Sequence, residues 1–327
     1  MVDAGAPRDA AMDTRDAAMT VLDAAMLPDA AAPDAATALP DGGNTTANNY
    51  GMDGPRTVTT QQLQVQNGTR SFNVRVFIPS GSGAAPVVSI SPGLQQRATA
   101  YNPYGQRLAS WGIVVVIRDD PGALTETTVV TGDIAHVLNT WLPAQHVDNT
   151  SPLFGRVDVT RLGLAGHSRG GKASLIAAAT QASPATRAWF GLDPVDSSVL
   201  SGGIQARDLV DTLTIPKVYL GASVSSSCSL AGDNHDVLFD VSAPPALNVT
   251  VTGAGHTDFQ DRGDCVGCNL CTPAGTADSA TVLTMGVRLM TGFFAREFLG
   301  DNAVGATLDG AGAAVDETAG RITRASR

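Results

Sequence analysis

The sequence contains no apolar run long enough to cross a membrane, which takes about 18 residues or more. Its longest apolar stretches, such as residues 113–117, have the length of a strand. Positive charge is scarce as well, with 21 lysines and arginines against 31 acidic residues and a formal net charge of −10. Nucleic acids are bound through clustered basic residues. We therefore expect neither a transmembrane segment nor nucleic-acid binding.

The first 54 residues are low in complexity and rich in aspartate, alanine and proline. The unit Asp-Ala-Ala-Met recurs with a seven-residue step, but alanine offers too little apolar surface for a coiled coil, and Pro28 and Pro33 interrupt a helix. We predict a flexible linker over residues 1–54. This segment resembles the spacers that tether bacterial lipoproteins to the cell envelope, which implies a tether here.

No basic region followed by an apolar core opens the chain, so the sequence shows no signal peptide. We nevertheless expect an exported protein, periplasmic, held at the cell surface or extracellular, whose signal has been replaced by Met1. We expect it to be a monomer.

Only four cysteines occur, and three of them form a C-x-x-C-x-x-C pattern. Four thiolates could hold zinc or an iron–sulfur cluster. An even number of cysteines in an exported protein instead favours two disulfides, whose pairing the sequence leaves open. We favour disulfides and no metal, because the cluster closely follows a candidate catalytic histidine and would fix its loop. The four are Cys228, Cys265, Cys268 and Cys271.

Alternating polar and apolar residues over 57–65 and 71–78, with Asn67-Gly68 between them, predict a β-hairpin. Short apolar runs separated by helical patterns then predict buried parallel strands. Strands are predicted at 86–90, 112–117, 161–165, 188–192, 217–220 and 247–251, and helices at 101–110, 133–145, 170–181 and 277–299. The result is an α/β-hydrolase fold: a mostly parallel, doubly wound sheet with an antiparallel N-terminal edge and helices on both faces. It would occupy residues 55–299, followed by a loosely held Gly/Ala-rich tail over 300–327.

A G-x-S-x-G motif lies between a predicted strand and a predicted helix, in the order Gly166-His167-Ser168-Arg169-Gly170. In this context the glycines permit a sharp strand-to-helix turn that exposes the serine oxygen. We predict that Ser168 is a nucleophile. We expect the Arg169 N–H, at the start of the helix, to stabilise an oxyanion.

A serine nucleophile needs a base, usually a histidine that a carboxylate orients. In this fold the base follows the nucleophile in the chain and lies after the last strand. His256 fits that position, and we prefer it to His235, which lies in an aspartate-rich loop.

The acid is harder to place from the sequence. The loop after the strand 217–220 contains no carboxylate, whereas the preceding strand ends in Leu192-Asp193-Pro194-Val195-Asp196. Ligand sites in such sheets lie at the carboxyl ends of strands. We therefore predict Asp193 as the acid and Asp196 as its reserve, with Asp233 and Asp236 as outside candidates.

A second oxyanion donor is expected in the loop after the strand 86–90. There Gly93 lets the backbone turn, so we predict the Leu94 N–H as the donor beside Arg169. Trp189 and Phe190 lie in a predicted buried strand and are expected to belong to the core. Further substrate contacts are predicted from Gly93, Gln95, Tyr101, His167 and Asp196.

These motifs resemble those of the chlorophyllases. Residues 166–172 look like their nucleophile motif, and residues 192–196 look like their acid-bearing strand end. Asn234-His235 and residues 255–258 resemble two further stretches, of which the second holds the catalytic histidine. The resemblance covers residues 55–299 and implies hydrolysis of carboxylic esters.

Two other groups share parts of the pattern. Platelet-activating-factor acetylhydrolases take their acid from the earlier strand, which supports Asp193. The segment 91–112 looks equally like bacterial cutinase-type polyester hydrolases, although those enzymes carry their acid after the following strand and this sequence lacks one there.

We therefore expect a serine carboxylic-ester hydrolase that forms an acyl-enzyme, is chlorophyllase-like and acts on a small-molecule or polymeric ester without any cofactor. The alternatives are a polyester hydrolase or lipase. A hypothesis of another class is a non-catalytic, envelope-tethered binding protein on a hydrolase scaffold, since a fold does not by itself give a function.

Overall fold

A computed structural model describes residues 49–120, 126–180, 183, 185–197, 203–302, 308 and 310–327. Residues 47–327 group into one compact unit. Residues 1–48, which make up most of the predicted linker, lie outside the described residues.

The described residues form a nine-stranded sheet in the order β1-β2-β4-β3-β5-β6-β7-β8-β9. The strands are β1 (Val58–Asn67), β2 (Arg70–Pro79), β3 (Ala85–Ser91), β4 (Val114–Arg118), β5 (Val157–His167), β6 (Thr186–Leu192), β7 (Lys217–Ala222), β8 (Ala246–Val251) and β9 (Ile322–Ser326). Strands β3 to β8 run parallel, while β1, β2 and β9 are antiparallel to their neighbours. The predicted mostly parallel sheet with an antiparallel N-terminal edge is confirmed.

Helices cover both faces of this sheet. They are α1 (Asn102–Ser110), α2 (Thr127–His136), α3 (Leu142–Val147), α4 (Ser168–Ala179), α5 (His235–Val241), α6 (Ser279–Leu299) and α7 (Ala311–Thr318), and a π-helical segment, Val137–Trp141, joins α2 to α3. In the described part of the chain, no helix is both long and apolar enough to span a membrane.

Two apolar cores lie on opposite faces of the sheet, because successive strand residues point to opposite sides. Val88 of β3 belongs to the core that α1 and α6 cover, and its neighbour Val87 belongs to the core that α2, α4 and α5 cover. Trp189 and Phe190 are fully buried, one in each core, as predicted from their strand.

Residues 49–54 differ from the predicted linker. The Tyr50 side chain is 1% exposed and packs against Trp111 with ring centroids 4.5 Å apart. The Gly54 N–H donates to Ser110 Oγ at 2.8 Å. The folded body therefore begins before residue 55, because an aromatic ring is buried there.

The tail after residue 300 also differs from the predicted loosely held segment. Strand β9 pairs antiparallel with β8 and extends the sheet at its C-terminal edge. Asp316 of α7 accepts hydrogen bonds from Arg288 of α6 and from Arg321. In β9 only Ile322 is buried, and the other side chains are polar or small. The backbone pairing of β9 with β8, rather than an apolar pattern, therefore holds the tail in place.

Candidate active site

The G-x-S-x-G motif forms the turn between β5, which ends at His167, and α4, which begins at Ser168. Ser168 has a φ of +54°, in the left-handed region that costs a residue with a side chain about 1–2 kcal/mol. A Cβ atom on Gly166 would lie 2.4 Å from the Gly170 carbonyl oxygen. A Cβ atom on Gly170 would lie 2.2 Å from the carbonyl oxygens of Ser91 and Pro92. Both glycines are therefore required by the close approach of backbone to backbone.

Three predicted side chains meet at the carboxyl end of the sheet. The Ser168 Oγ lies 2.9 Å from His256 Nε2, and His256 Nδ1 lies 2.6 Å from Asp193 Oδ2. His256 follows β8 and Asp193 follows β6. This carboxylate thus lies one strand earlier than the start of the loop after β7, where the sequence has no carboxylate. With Nδ1 donating to the carboxylate, Nε2 is free to accept the serine proton.

Asp193 is fixed on both of its carboxylate oxygens. Oδ1 accepts the Ala222 N–H at 3.0 Å and also lies 3.2 Å from His235 Nδ1. Burial by itself raises the pKa of the Asp193 carboxyl, but the imidazoles of His235 and His256 outweigh it and hold the pKa well below its usual range. Asp193 is therefore an anion throughout the neutral range, as a residue that orients a histidine must be.

His235 reaches Asp193 rather than Ser168. Its ring is fully buried, and its Nε2 lies 3.1 Å from Thr250 Oγ1. A Cβ atom on Gly221 of β7 would lie 2.0 Å from His235 Nδ1, so a glycine is needed for the ring to reach Asp193. The structure thus brings His256 to Ser168 and places His235 behind the acid.

The predicted oxyanion loop lies directly beside Ser168. Leu94 and Arg169 both line the pocket that contains the serine, together with Gly93 and Gln95. A Cβ atom on Gly93 would lie 2.9 Å from His167 Nδ1, which explains the glycine.

A family model described as PET hydrolase-like matches residues 32–228, more than half of the chain. The chain belongs to the PET hydrolase-like family. The matched segment contains Ser168 and Asp193 and ends before His256.

Curated relatives of this PET hydrolase-like chain include cutinases of Thermobifida. Cutinase est2 of Thermobifida alba is 27% identical over 183 residues, which are 55% of this chain and 56% of that protein. Cutinase est1 of the same organism is 29% identical over 174 residues, 53% of either protein, and Cutinase 2 of Thermobifida cellulosilytica is 34% identical over 101 residues, 31% of this chain and 37% of that one. The chain therefore covers about half the length of the first two relatives and 37% of the third. A match specific to chlorophyllases is not shown.

The pocket of this PET hydrolase-like chain has a volume of about 240 Å³. One wall comes from the predicted oxyanion loop and the turn at Ser168, and another comes from the cysteine-containing loop after His256. Eight further residues, which no motif in the sequence indicated, line the pocket: Gln96, Val195, Ser197, Thr257, Gln260, Val266, Gly267 and Leu270. Of these, Leu270 is 78% exposed and Val266 is 48% exposed, so the rim is apolar. The spacing of the cysteines directly after the histidine was the one signal that pointed to this wall.

All four cysteines are paired, as Cys228–Cys271 and Cys265–Cys268. The first bond joins the loop after β7 to the loop after His256, and Cys228, Cys268 and Cys271 line the pocket. The predicted disulfides are therefore present. The alternative zinc or iron–sulfur site would need these sulfur atoms as thiolates, and they are in disulfide bonds.

Two predicted substrate contacts lie outside the pocket lining. Asp196 is fully buried, accepts the backbone N–H groups of Ala206 and Arg207, and lies 3.6 Å from Lys172 Nζ. Its carboxylate is satisfied by these groups, so the structure gives it a role in holding the loop after β6 rather than a contact with substrate.

Tyr101, the other residue outside the lining, is fully buried beneath the pocket. Its Oη accepts the Gly93 N–H at 3.1 Å and lies 2.8 Å from His167 Nδ1 and 3.0 Å from Gln260 Oε1. It thus connects three segments that line the pocket. The expected direct contact of Tyr101 with substrate does not fit this placement.

His167 does line the pocket, and its Nε2 lies 2.9 Å from the His256 carbonyl oxygen. Because a carbonyl only accepts, Nε2 carries the proton and donates to it. Burial and the neighbouring His256 lower the pKa of His167 to about 3, so the ring stays neutral. Through this hydrogen bond, His167 therefore holds the backbone of His256, the candidate base.

This lowered pKa predicts a specific loss of stability in acid. Between about pH 6.5 and pH 3 the unfolded state binds a proton at His167 that the folded state does not, so stability falls as pH falls, by up to about 1.4 kcal/mol per pH unit. We expect His167→Gln to flatten this slope, measured as the free energy of unfolding in urea at pH 7.5, 6.0 and 5.0. His136→Gln, on α2 and outside the pocket lining, serves as the control for the loss of a histidine elsewhere in the chain. A His167→Gln slope equal to wild type would contradict the prediction.

Proposed function

We propose that this chain is a serine carboxylic-ester hydrolase that works through an acyl-enzyme. The observation that carries the proposal is the chain of contacts from Ser168 Oγ through His256 to Asp193, with distances of 2.9 and 2.6 Å, at the base of a pocket. Nucleophile, base and orienting acid at hydrogen-bond distances are the arrangement that acyl transfer requires.

In the first half of the reaction, Ser168 Oγ attacks the ester carbonyl carbon while His256 Nε2 takes the serine proton. The carbonyl π electrons move to the oxygen, which the N–H groups of Leu94 and Arg169 stabilise. Asp193 stabilises the imidazolium that forms. The tetrahedral intermediate then collapses, and His256 gives its proton to the alcohol that leaves.

In the second half, water enters and His256 takes one of its protons as the oxygen attacks the acyl carbon. A second tetrahedral intermediate forms in the same oxyanion hole. Its collapse breaks the bond to Ser168 Oγ, which regains the proton from His256. The carboxylic acid leaves, and the free enzyme is restored without any cofactor.

We propose that the ester is polymeric or carries a bulky apolar group, as in cutin or a synthetic polyester. The family membership and the cutinase names of the relatives support this substrate class. The open, apolar rim at Val266 and Leu270 suits an acyl group or a polymer segment that extends beyond the pocket. The chlorophyllase-like alternative has only the motif resemblance in its favour.

Two measurements test this function. A fluorophosphonate probe should label the wild-type protein at Ser168 and leave Ser168→Ala unlabelled. Hydrolysis should then be measured for p-nitrophenyl esters graded from acetate to dodecanoate, and for cutin and polyethylene terephthalate film. A protein that neither takes the label nor hydrolyses any of these esters would support the non-catalytic binding protein instead.

We also propose that the protein is exported, because two disulfides are typical of oxidising compartments. Attachment to the cell envelope through the N-terminal segment remains a proposal based on its composition. Separation of envelope from soluble fractions by centrifugation, followed by detection of the protein in each, tests both statements.

A further inference from the structure

Asp120 lies behind the oxyanion loop, and its side chain is only 3% exposed. Its Oδ2 accepts the Gln95 N–H at 3.1 Å and also accepts from the Arg169 guanidinium. Its Oδ1 accepts from Arg118 Nη1 at 2.9 Å. One carboxylate thus contacts the loop on one side of the pocket and the nucleophile turn on the other.

The backbone of Asp120 strengthens its hold on the loop, since its N–H donates to the Gln96 carbonyl at 3.0 Å. Gln95 has a φ of +60°, which is unfavourable for a residue with a side chain. Asp120 accepts the N–H of this strained residue, next to Leu94. On the far side, the Gln96 side chain accepts from the Val266 N–H at 3.0 Å and donates to its carbonyl at 2.7 Å.

We propose that Asp120 is a positioning residue that fixes both oxyanion donors with a single carboxylate. It holds the Leu94 amide through the adjacent Gln95 N–H, and it holds the Arg169 amide through the side chain of the same residue. This inference rests on the proposed function, because it concerns the oxyanion of ester hydrolysis.

The physical reason lies in when the negative charge develops. Oxyanion donors help most when they already point to where the charge will form, so that no free energy is spent in orienting them during the reaction. The charge is absent from the bound ester and present in the tetrahedral intermediate. Loss of the alignment should therefore lower kcat and leave KM nearly unchanged. Asp120 itself exchanges no proton and touches no reacting atom.

Asp120→Asn tests this role, with Asp133→Asn as the matched control. Asp133 is equally buried. Among the described residues, its carboxylate accepts hydrogen bonds from Arg118, Arg70 and Asn67, and none of these lies in the oxyanion loop. With p-nitrophenyl butyrate, we expect Asp120→Asn to lower kcat per active site by about 10- to 100-fold and to change KM by less than about threefold. Asp133→Asn should lower stability but keep kcat within about threefold.

Phenylboronic acid provides a readout that a general loss of stability would not move. It forms a tetrahedral adduct with a serine nucleophile, so its inhibition constant should rise in Asp120→Asn by the same factor as kcat falls. Deuterium exchange of the peptide that covers residues 93–97 should also become faster in Asp120→Asn and not in Asp133→Asn.

If Asp120→Asn fails to fold because the buried Arg169 cation no longer faces a carboxylate at position 120, the double variant Asp120→Asn/Arg169→Met removes that cation and should show the same loss of kcat. An unchanged kcat in the folded variant, or equal losses in Asp120→Asn and Asp133→Asn, would overturn the role of Asp120. A wild-type protein without turnover or fluorophosphonate labelling would instead overturn the proposed function.

Discussion

Replacement of Ser168 by alanine is expected to lower kcat for an activated ester by about 10⁴- to 10⁶-fold. The alanine removes the hydroxyl that is proposed to form the acyl-enzyme and to give its proton to His256. Residual turnover should come from water bound near the oxyanion donors. The rate is measured with p-nitrophenyl butyrate under saturating substrate, after circular dichroism has shown that the variant is folded.

Ser174→Ala is the matched control for this variant. Ser174 lies on the same helix, α4, and its Oγ accepts from Trp189 Nε1 at 2.9 Å, in the core rather than at the pocket. Its loss should cost about 1–3 kcal/mol of stability and leave kcat within about threefold. If Ser168→Ala kept more than a hundredth of the wild-type kcat, another residue would have to be the nucleophile.

Replacement of Asp193 by asparagine is expected to lower kcat by about 10⁴-fold. An amide can offer an N–H to His256 Nδ1 where the carboxylate accepted one, which favours the wrong tautomer of the base. It also removes the negative charge that stabilises the imidazolium. We expect KM to change far less than kcat, because the Asp193 side chain lies beneath the pocket and is 1% exposed.

Asp233→Asn is the control for the position of the acid. Asp233 was an outside candidate, and its carboxylate is a quarter exposed and pairs with Arg207 at 2.8 Å. Asp233 does not line the pocket that contains Ser168, so kcat should stay within about threefold of wild type. More than a tenth of wild-type kcat in Asp193→Asn would show that the acid lies elsewhere.

The acid shows where the sequence analysis reached its limit. Asp193 and Asp196 follow the same strand three residues apart, and composition does not distinguish them. The distinction comes from the backbone: Asp193 has a φ of +40°, and its carboxylate faces His256, whereas Asp196 faces Ala206 and Arg207. Such directions depend on how β6 and the following loop pack against other segments, which a single sequence does not display.

The ends of the folded body were missed for a related reason. Strand β9 has Ile322 as its single large apolar residue, and it is held by backbone pairing with β8, which leaves no apolar pattern to detect. Tyr50 lies at the end of a low-complexity segment, and only its packing against Trp111 shows that it belongs to the core. Tertiary contacts outweigh local pattern at both sites.

By itself, the sequence determined the fold class, the positions of the central strands along the chain and the strand-to-helix turn at Ser168. Those features follow from local rules: buried parallel strands are short apolar runs, and a strand-to-helix turn this tight admits only glycine at positions 166 and 170. The tertiary structure decided the disulfide pairing, the second imidazole beside Asp193, and the carboxylate of Asp120 between the two proposed oxyanion donors. Apart from the Cys265–Cys268 bond, whose residues are three apart in the sequence, each of these joins residues far apart in the chain, and its geometry exists only once the sheet has brought them together.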